Sequence, residues 1–153
     1  MPNTYTQLYV QVVFAVKGRH SLIKPEFREE IHKYITGIVS NRNQKLLQIY
    51  AMPDHTHILI GMKPDISISD LVRDIKAGSS KFINDNNLVK GKFNWQSGFG
   101  AFTYSKSQVD SVVRYIANQE DHHKKRTFKE EYIDLLNKFE VEYNEKYLFE
   151  WIE

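Results

Sequence analysis

Cysteine is absent, so neither a disulfide framework nor a thiolate metal site is open to this chain. Proline, at four residues, and glycine, at seven in 153, are too scarce for a collagenous or low-complexity chain. No apolar run approaches the roughly 20 residues of a membrane span, and the first residues hold no stretch like the core of a signal peptide, so a cytoplasmic protein is expected. A strong charge of one sign is missing too. The 21 Lys and Arg against 19 Asp and Glu leave a formal charge of +2, so an anionic partner must be met by local patches rather than by the overall field. With 41% apolar and 26% charged residues and no internal repeat, the sequence reads as a single domain over residues 1–153.

The stretch Leu46 to Met62, LLQIYAMPDHTHILIGM, carries the most chemical information. Side chains on a strand alternate faces, so His55 and His57 point one way while Thr56, Ile58 and Ile60 point the other. Two imidazoles side by side can hold one divalent metal, provided that a further ligand comes from elsewhere; without one they are a pair of half-exposed histidines. Tyr5 to Phe14 alternates in the same way and predicts a first strand, with Leu8, Val10, Val12 and Phe14 inward and Tyr5, Gln7, Tyr9 and Gln11 on a polar-aromatic face. A basic turn from Lys17 to Lys24, with Gly18, Arg19 and His20, leads to Pro25 at a helix start; Phe27, Ile31, Tyr34, Ile35 and Ile38 follow at helical spacing to about Arg42, with His32 at the stripe's boundary. Leu46 to Met52 and His55 to Met62 are two antiparallel strands around a Pro53-Asp54 break.

Ser67 with Asp70 opens a second helix through Leu71, Val72, Ile75, Phe82 and Ile83. Its other side carries Arg73, Lys76, Ser79, Ser80 and Lys81, which suits either a solvated face or a set of phosphate contacts. The loop from Asn84 to Phe99 interleaves Lys90, Lys92, Phe93 and Trp95; such rings stack bases of single-stranded nucleic acid or pin a loop to the core. Phe99 to Tyr104 is a fourth strand. Ser107 with Asp110 is read as the cap of a third helix over about 108–121, in which Tyr115, Gln119 and His122 share a flank at i, i+4 and i+7. That flank is either a boundary of the core or a nucleophile one turn from a hard oxygen ligand suited to Mg2+ or Mn2+. The basic run His122 to Arg126 complements a helix dipole or meets phosphate. Thr127 with Glu130 caps a fourth helix over Phe128 to about Lys138, and the aromatic segment Glu140 to Glu153 is expected to pack on the domain or on a partner chain.

Strand, helix, strand, strand, helix, strand is the ferredoxin-like plan: an α+β fold with a four-stranded antiparallel sheet, two helices on one face, and here a tyrosine-bearing helix and tail added at the C-terminal side. The two helices should cover Ile58 and Ile60, leaving the histidines on the opposite, open face, which the third helix must reach from outside the unit.

The segments MPDHTHILI, WQSGFGAFTYS, VVRYIANQEDHH and TFKEEY, in this order, resemble the single-tyrosine HUH transposases of bacterial insertion sequences that move as single-stranded DNA, and their domesticated REP-associated relatives. The resemblance implies one HUH domain with His55 and His57 as metal ligands, Tyr115 as nucleophile and Gln119 as a third ligand to Mg2+ or Mn2+. Thr56 departs from the bulky apolar residue usual between the histidines. The resemblance further implies a 5′-phosphotyrosine intermediate, DNA hairpin ends gripped by helix-two groups near Lys76 and Lys81, and a homodimer whose tyrosine helices complete each other's sites. Arg73, Ser80 and Lys92 are the further DNA-binding candidates. Two other classes stay open: a non-catalytic RNA- or single-stranded-DNA-binding module that stacks bases on Tyr5, Tyr9 and Tyr50, and a metal-dependent nuclease that uses water and forms no adduct.

Overall fold

The computed structural model describes residues 3–18 and 21–152; Arg19 and His20 of the basic turn lie outside the described residues. Strands β1 (Leu8–Ala15), β2 (Lys45–Ala51), β3 (His55–Met62) and β4 (Gly100–Tyr104) form one antiparallel sheet in the order β2-β3-β1-β4, the ferredoxin-like arrangement. The Val-rich β1 and the Ile-rich β3 lie at its centre, where both faces are covered. Opposite His57 on β1 stands Val13, and opposite Leu59 stands Gln11, which places the Gln11 side chain on the histidine face.

A 3-10 turn at Pro25–Phe27 leads into α1 (Arg28–Asn41), and α2 (Ile68–Asp85) starts where Ser67 Oγ accepts the Asp70 N–H at 3.0 Å. Their inward residues, Ile31, Ile35 and Val39 on α1 and Leu71, Val72, Ile75 and Ile83 on α2, pack with Ile58 and Ile60 in the main core. Thr56 also faces this side. Fully buried, it settles its hydroxyl on the Tyr50 carbonyl at 3.2 Å, which accounts for a polar residue between the two histidines.

The opposite face is not open. Helix α3 (Val109–Ala117) lies across it and buries Val109, Val112 and Ile116 against Leu59, and α5 (Phe128–Lys138) closes the remainder, so His55 and His57 are 0% exposed. The β4 contact with α5 is close: a Cβ on Gly100 would fall 2.6 Å from the Tyr132 hydroxyl, so glycine is what admits the helix.

Three local expectations need correction. The first strand begins at Leu8 rather than Tyr5, and Tyr5 is 90% exposed. The third helix is not continuous over 108–121. It breaks at Asn118, whose N–H turns to the Arg114 and Tyr115 carbonyls and whose backbone leaves helical values, as asparagine readily does; α4 (Gln119–His123) starts again beyond it. The cap before α3 is Ser105 rather than Ser107: a 3-10 turn over Lys106–Gln108 moves the start upstream, and Gln108 Oε1 accepts the Ser105 N–H at 2.9 Å. Of the two readings of the loop aromatics, pinning to the core holds: Trp95 packs edge-on against Phe14 and Phe93 against Trp95, both buried. The Thr127/Glu130 cap of α5 is formed as expected. The tail packs on its own chain through Phe149 and Trp151, which meet Phe128 and Tyr132, and through Glu150, whose N–H and carbonyl bond to the Gln96 side chain.

Candidate active site

His55 and His57 sit at the start of β3, and each is oriented by a side-chain oxygen that accepts from its Nδ1. His55 Nδ1 donates to Asp54 Oδ1 at 2.7 Å. His57 Nδ1 donates to Gln11 Oε1 at 2.7 Å, and the Gln11 amide is itself oriented because its Nε2 donates to the Tyr104 hydroxyl at 2.7 Å. The break at Asn118 then swings α4 so that His123 joins them, its Nδ1 donating to the Arg126 carbonyl at 3.1 Å. A proton on each Nδ1 turns the three Nε2 atoms inward, the nitrogens through which a metal binds once they are unprotonated.

Into this cluster α5 inserts Glu131, 0% exposed. Its Oε1 lies 3.0 Å from His57 Nε2, 3.0 Å from His123 Nε2 and 3.5 Å from His55 Nε2. Gln119 Oε1 lies 3.3 Å from His55 Nε2 and 3.1 Å from His123 Nε2. Donors bound at about 2.1 Å to one ion stand about 3.0 to 3.4 Å apart in octahedral or tetrahedral geometry. The observed separations have that size, so the donor set fits a divalent cation. Burial alone would neutralise Glu131, but the surrounding imidazoles outweigh it and hold the carboxyl far below the usual carboxylate range. Burial likewise pulls His55 down, yet Asp54 and Glu131 together raise it to about 9, whereas in His57 burial prevails and the pKa falls.

Tyr115, near the end of α3, meets the same carboxylate: its hydroxyl donates to Glu131 Oε2, which also accepts from Gln119 Nε2 at 3.1 Å. Burial first, and then Glu131, push the phenol well above its ordinary value, while the Arg126 guanidinium, 3.2 Å from the hydroxyl, acts in the opposite sense. The ring stacks on His122 at 4.5 Å, in keeping with their shared helix flank. His55, His57, Tyr115 and Gln119 therefore converge within a single chain.

The basic candidates are elsewhere. Arg73 pairs with Asp70 and Asp74, Lys81 with Asp85, Ser80 is half-buried, and Lys92 is exposed on its loop. Lys76 donates to the Gln96 and Gly98 carbonyls at 2.8 and 2.6 Å, and burial lowers its pKa to about 8, so it is held to the loop. Helix α2 packs on the face of the sheet away from the histidines. A basic rim does border the cluster: Lys124, Lys125, Arg126 and Lys129 line a cavity of about 630 Å3 together with Asp54 and His123. Of the tyrosines that might have stacked bases, Tyr9 and Tyr50 pack beneath α3. His32 is a boundary histidine: its Nε2 accepts the Ala51 N–H at 2.9 Å, and burial lowers its pKa to about 4.

Sequence reasoning missed His123, Glu131, Gln11 and Asp54 as parts of this constellation. Glu131 left a trace, because it shares the stripe Phe128, Tyr132, Leu135 of α5, where an acid must find a buried partner. His123 had none beyond its place in the basic run.

A ferredoxin-like sheet whose central strand carries a histidine pair, faced by a tyrosine from a later helix, is the make-up of the single-tyrosine HUH transposases. The family model for IS200-like transposases matches residues 4–119, and the chain belongs to that family, whose members bind and cleave DNA. It is 25% identical over 120 residues to the ISDra2 transposase TnpA of Deinococcus radiodurans, covering 75% of this chain and 86% of that protein. A crystal structure of a candidate transposase from Deinococcus radiodurans R1 superposes with a TM-score of 0.59 at 22% identity, over 76% of this chain and 94% of the other. A REP-associated tyrosine transposase bound to a REP hairpin shares the fold with a TM-score of 0.59 at 18% identity, over 79% of this chain and 72% of the other. Among the described residues no helix is long and apolar enough to cross a membrane.

Proposed function

We propose that this transposase cleaves and rejoins single-stranded DNA at insertion-sequence ends, with Tyr115 as nucleophile and His55, His57 and Gln119 as ligands of Mg2+ or Mn2+. The observation that carries the reading is the convergence of the Tyr115 hydroxyl and the Gln119 amide on the histidine pair through one shared carboxylate. A divalent ion held by these residues would supply Lewis-acid polarisation of a non-bridging phosphate oxygen and offset its charge. Tyr115 attacks phosphorus, its O–P bond forms as the bond to the 3′-oxygen breaks, the phenol proton is released, and the 3′-oxygen leaves and takes up a proton. The phosphodiester is conserved as a 5′-phosphotyrosine, so reversal joins ends without a nucleotide cofactor. Arg126, beside the hydroxyl, offsets charge as the phenolate develops.

The DNA partner on this reading is a hairpin at the element's end. The rim of Lys124, Lys125 and Lys129 receives the strand next to the site, and Arg73, Lys76, Ser80, Lys81 and Lys92 serve the hairpin more distantly. Each chain brings one nucleophile, whereas excision involves two ends, so a homodimer is the working unit. In this chain the tyrosine helix completes its own site; exchange of that helix between copies would build the same site in trans.

Incubation with labelled single-stranded element ends and Mg2+ or Mn2+ tests the proposal. The expected product is a denaturation-resistant protein–DNA adduct, abolished by Tyr115→Phe and by chelator. Cleavage by the wild-type chain with no adduct would replace it with a nuclease that activates water, and binding unaffected by Tyr115→Phe without any cleavage would leave a binding module.

A further inference from the structure

The family match ends at residue 119, yet two of the donors at the site lie beyond it. We propose that His123 and Glu131 are themselves ligands, making a five-donor site of three imidazoles, one amide oxygen and one carboxylate that selects a transition-metal ion such as Mn2+ over Mg2+. The inference rests on the cation reading given above and specifies its ligands and its metal.

Three observations carry it. First, His123 and Glu131 stand at ligand-sharing distances from the other donors: His123 Nε2 is 3.1 Å from Gln119 Oε1 and 3.0 Å from Glu131 Oε1, and one ligand atom from each of His55, His57, His123 and Glu131 lies within 4.8 Å of all the others. Second, the acceptors on the outer nitrogens, Asp54 Oδ1, Gln11 Oε1 and the Arg126 carbonyl, turn all three Nε2 atoms toward the carboxylate. Lone pairs facing an anion repel it unless a proton or a cation lies between them, and a divalent ion satisfies all of the donors together. Third, the charges sum suitably. Three neutral imidazoles, an amide and one carboxylate carry one negative charge; a divalent ion brings the set to +1, which the single charge of a phosphodiester cancels. Held by five donors, a six-coordinate ion would keep one position for that phosphate.

The choice of metal follows from the donors. Mg2+ sheds water reluctantly and is usually held through one or two carboxylates while keeping several waters. Three imidazoles displace that water with nitrogen ligands, which first-row transition metals favour. Because Glu131 offers Oε1 to the cluster and Oε2 to the Tyr115 hydroxyl, it also ties the nucleophile to the cation site, and α5 becomes part of that site rather than a lid over it.

The chelator-treated full chain, without DNA, is titrated with Mn2+ while the free ion is followed by electron paramagnetic resonance. Co2+ is added in parallel for its visible absorption. One ion per chain is expected, retained against a roughly hundredfold excess of Mg2+. His123→Ala and Glu131→Gln should each weaken Mn2+ binding at least about tenfold and change the Co2+ spectrum. Binding unchanged in both variants, with binding lost in His55→Ala, would overturn the inference and leave the three-ligand site intact. Binding unchanged in His55→Ala as well would remove the cation reading itself. Tighter Mn2+ binding in Glu131→Gln would also overturn the inference, because the carboxylate would then be a competitor occupying the ion's place. Should Glu131→Gln fail to fold, His123→Ala decides the matter, since His123 lies at the partly exposed end of α4.

Discussion

Tyr104→Phe removes a single oxygen that touches none of the proposed ligands, yet it should weaken cation binding. The Tyr104 hydroxyl accepts from Gln11 Nε2 at 2.7 Å, and Gln11 Oε1 in turn accepts from His57 Nδ1 at 2.7 Å. Gln11 is only 1% exposed, so without the hydroxyl its amide N–H loses its partner in a buried position, at a cost of about 1–3 kcal/mol. The amide can recover by turning over. Its NH2 then faces His57 Nδ1 and drives the imidazole proton to Nε2, where it blocks the lone pair intended for the metal. Partners of this kind control affinity by about 10–100-fold, equivalent to roughly 1.4–2.8 kcal/mol. Tyr104 is half-buried and borders a groove of about 400 Å3, so water can replace part of the lost contact and the smaller figure is expected. The assay is Mn2+ titration of wild type and Tyr104→Phe, with urea unfolding in chelator as the control. A loss of about tenfold in affinity with a stability change near 1 kcal/mol is the expected outcome. Mn2+ affinity within twofold of wild type would refute the claim that this relay sets the His57 tautomer.

Ile116→Ala should cost about 2–5 kcal/mol, because the side chain is fully buried in the small cluster that docks α3 on Leu59. Its effect on adduct formation should exceed its effect on the folded fraction, since α3 carries Tyr115; an unchanged adduct rate in the folded variant would show that this packing does not position the nucleophile. His32 has a folded pKa of about 4 against an ordinary 6.5, and a depressed pKa means that the unfolded chain binds more protons between these values. Its contribution is therefore complete above about pH 6.5 and is lost as pH falls toward 4, up to about 3 kcal/mol before allowance for its partial exposure. Urea melts from pH 7.5 to 4 should show a steeper fall for wild type than for His32→Asn, and parallel curves would refute the assignment.

Legibility followed the range of the forces involved. The ends of β3 are legible because Pro53-Asp54 and Pro64-Asp65 interrupt the backbone on either side of a period-two pattern. The Thr127/Glu130 cap was read because both partners lie within four residues. The helix break at Asn118 was not, since the helical spacing of Tyr115, Gln119 and His122 continues through it and only the cap geometry reveals it. Helix α2's basic face was visible, but the carbonyls that hold Lys76 belong to a loop twenty residues on, and no local pattern announces them.

From residue order alone came the ferredoxin-like sheet, the histidine pair on one face of a strand, and the candidacy of Tyr115 and Gln119, because alternation, capping and turn chemistry act between near neighbours. Tertiary packing alone decided that the histidine face is closed, that His123 and Glu131 enter the cluster, and that three imidazoles turn the same nitrogen inward. Those outcomes depend on Gln11, Asp54 and the Arg126 carbonyl, which come from separate parts of the chain. A lone pair's direction is set by whatever the rest of its ring is bonded to, and only the folded chain supplies that partner.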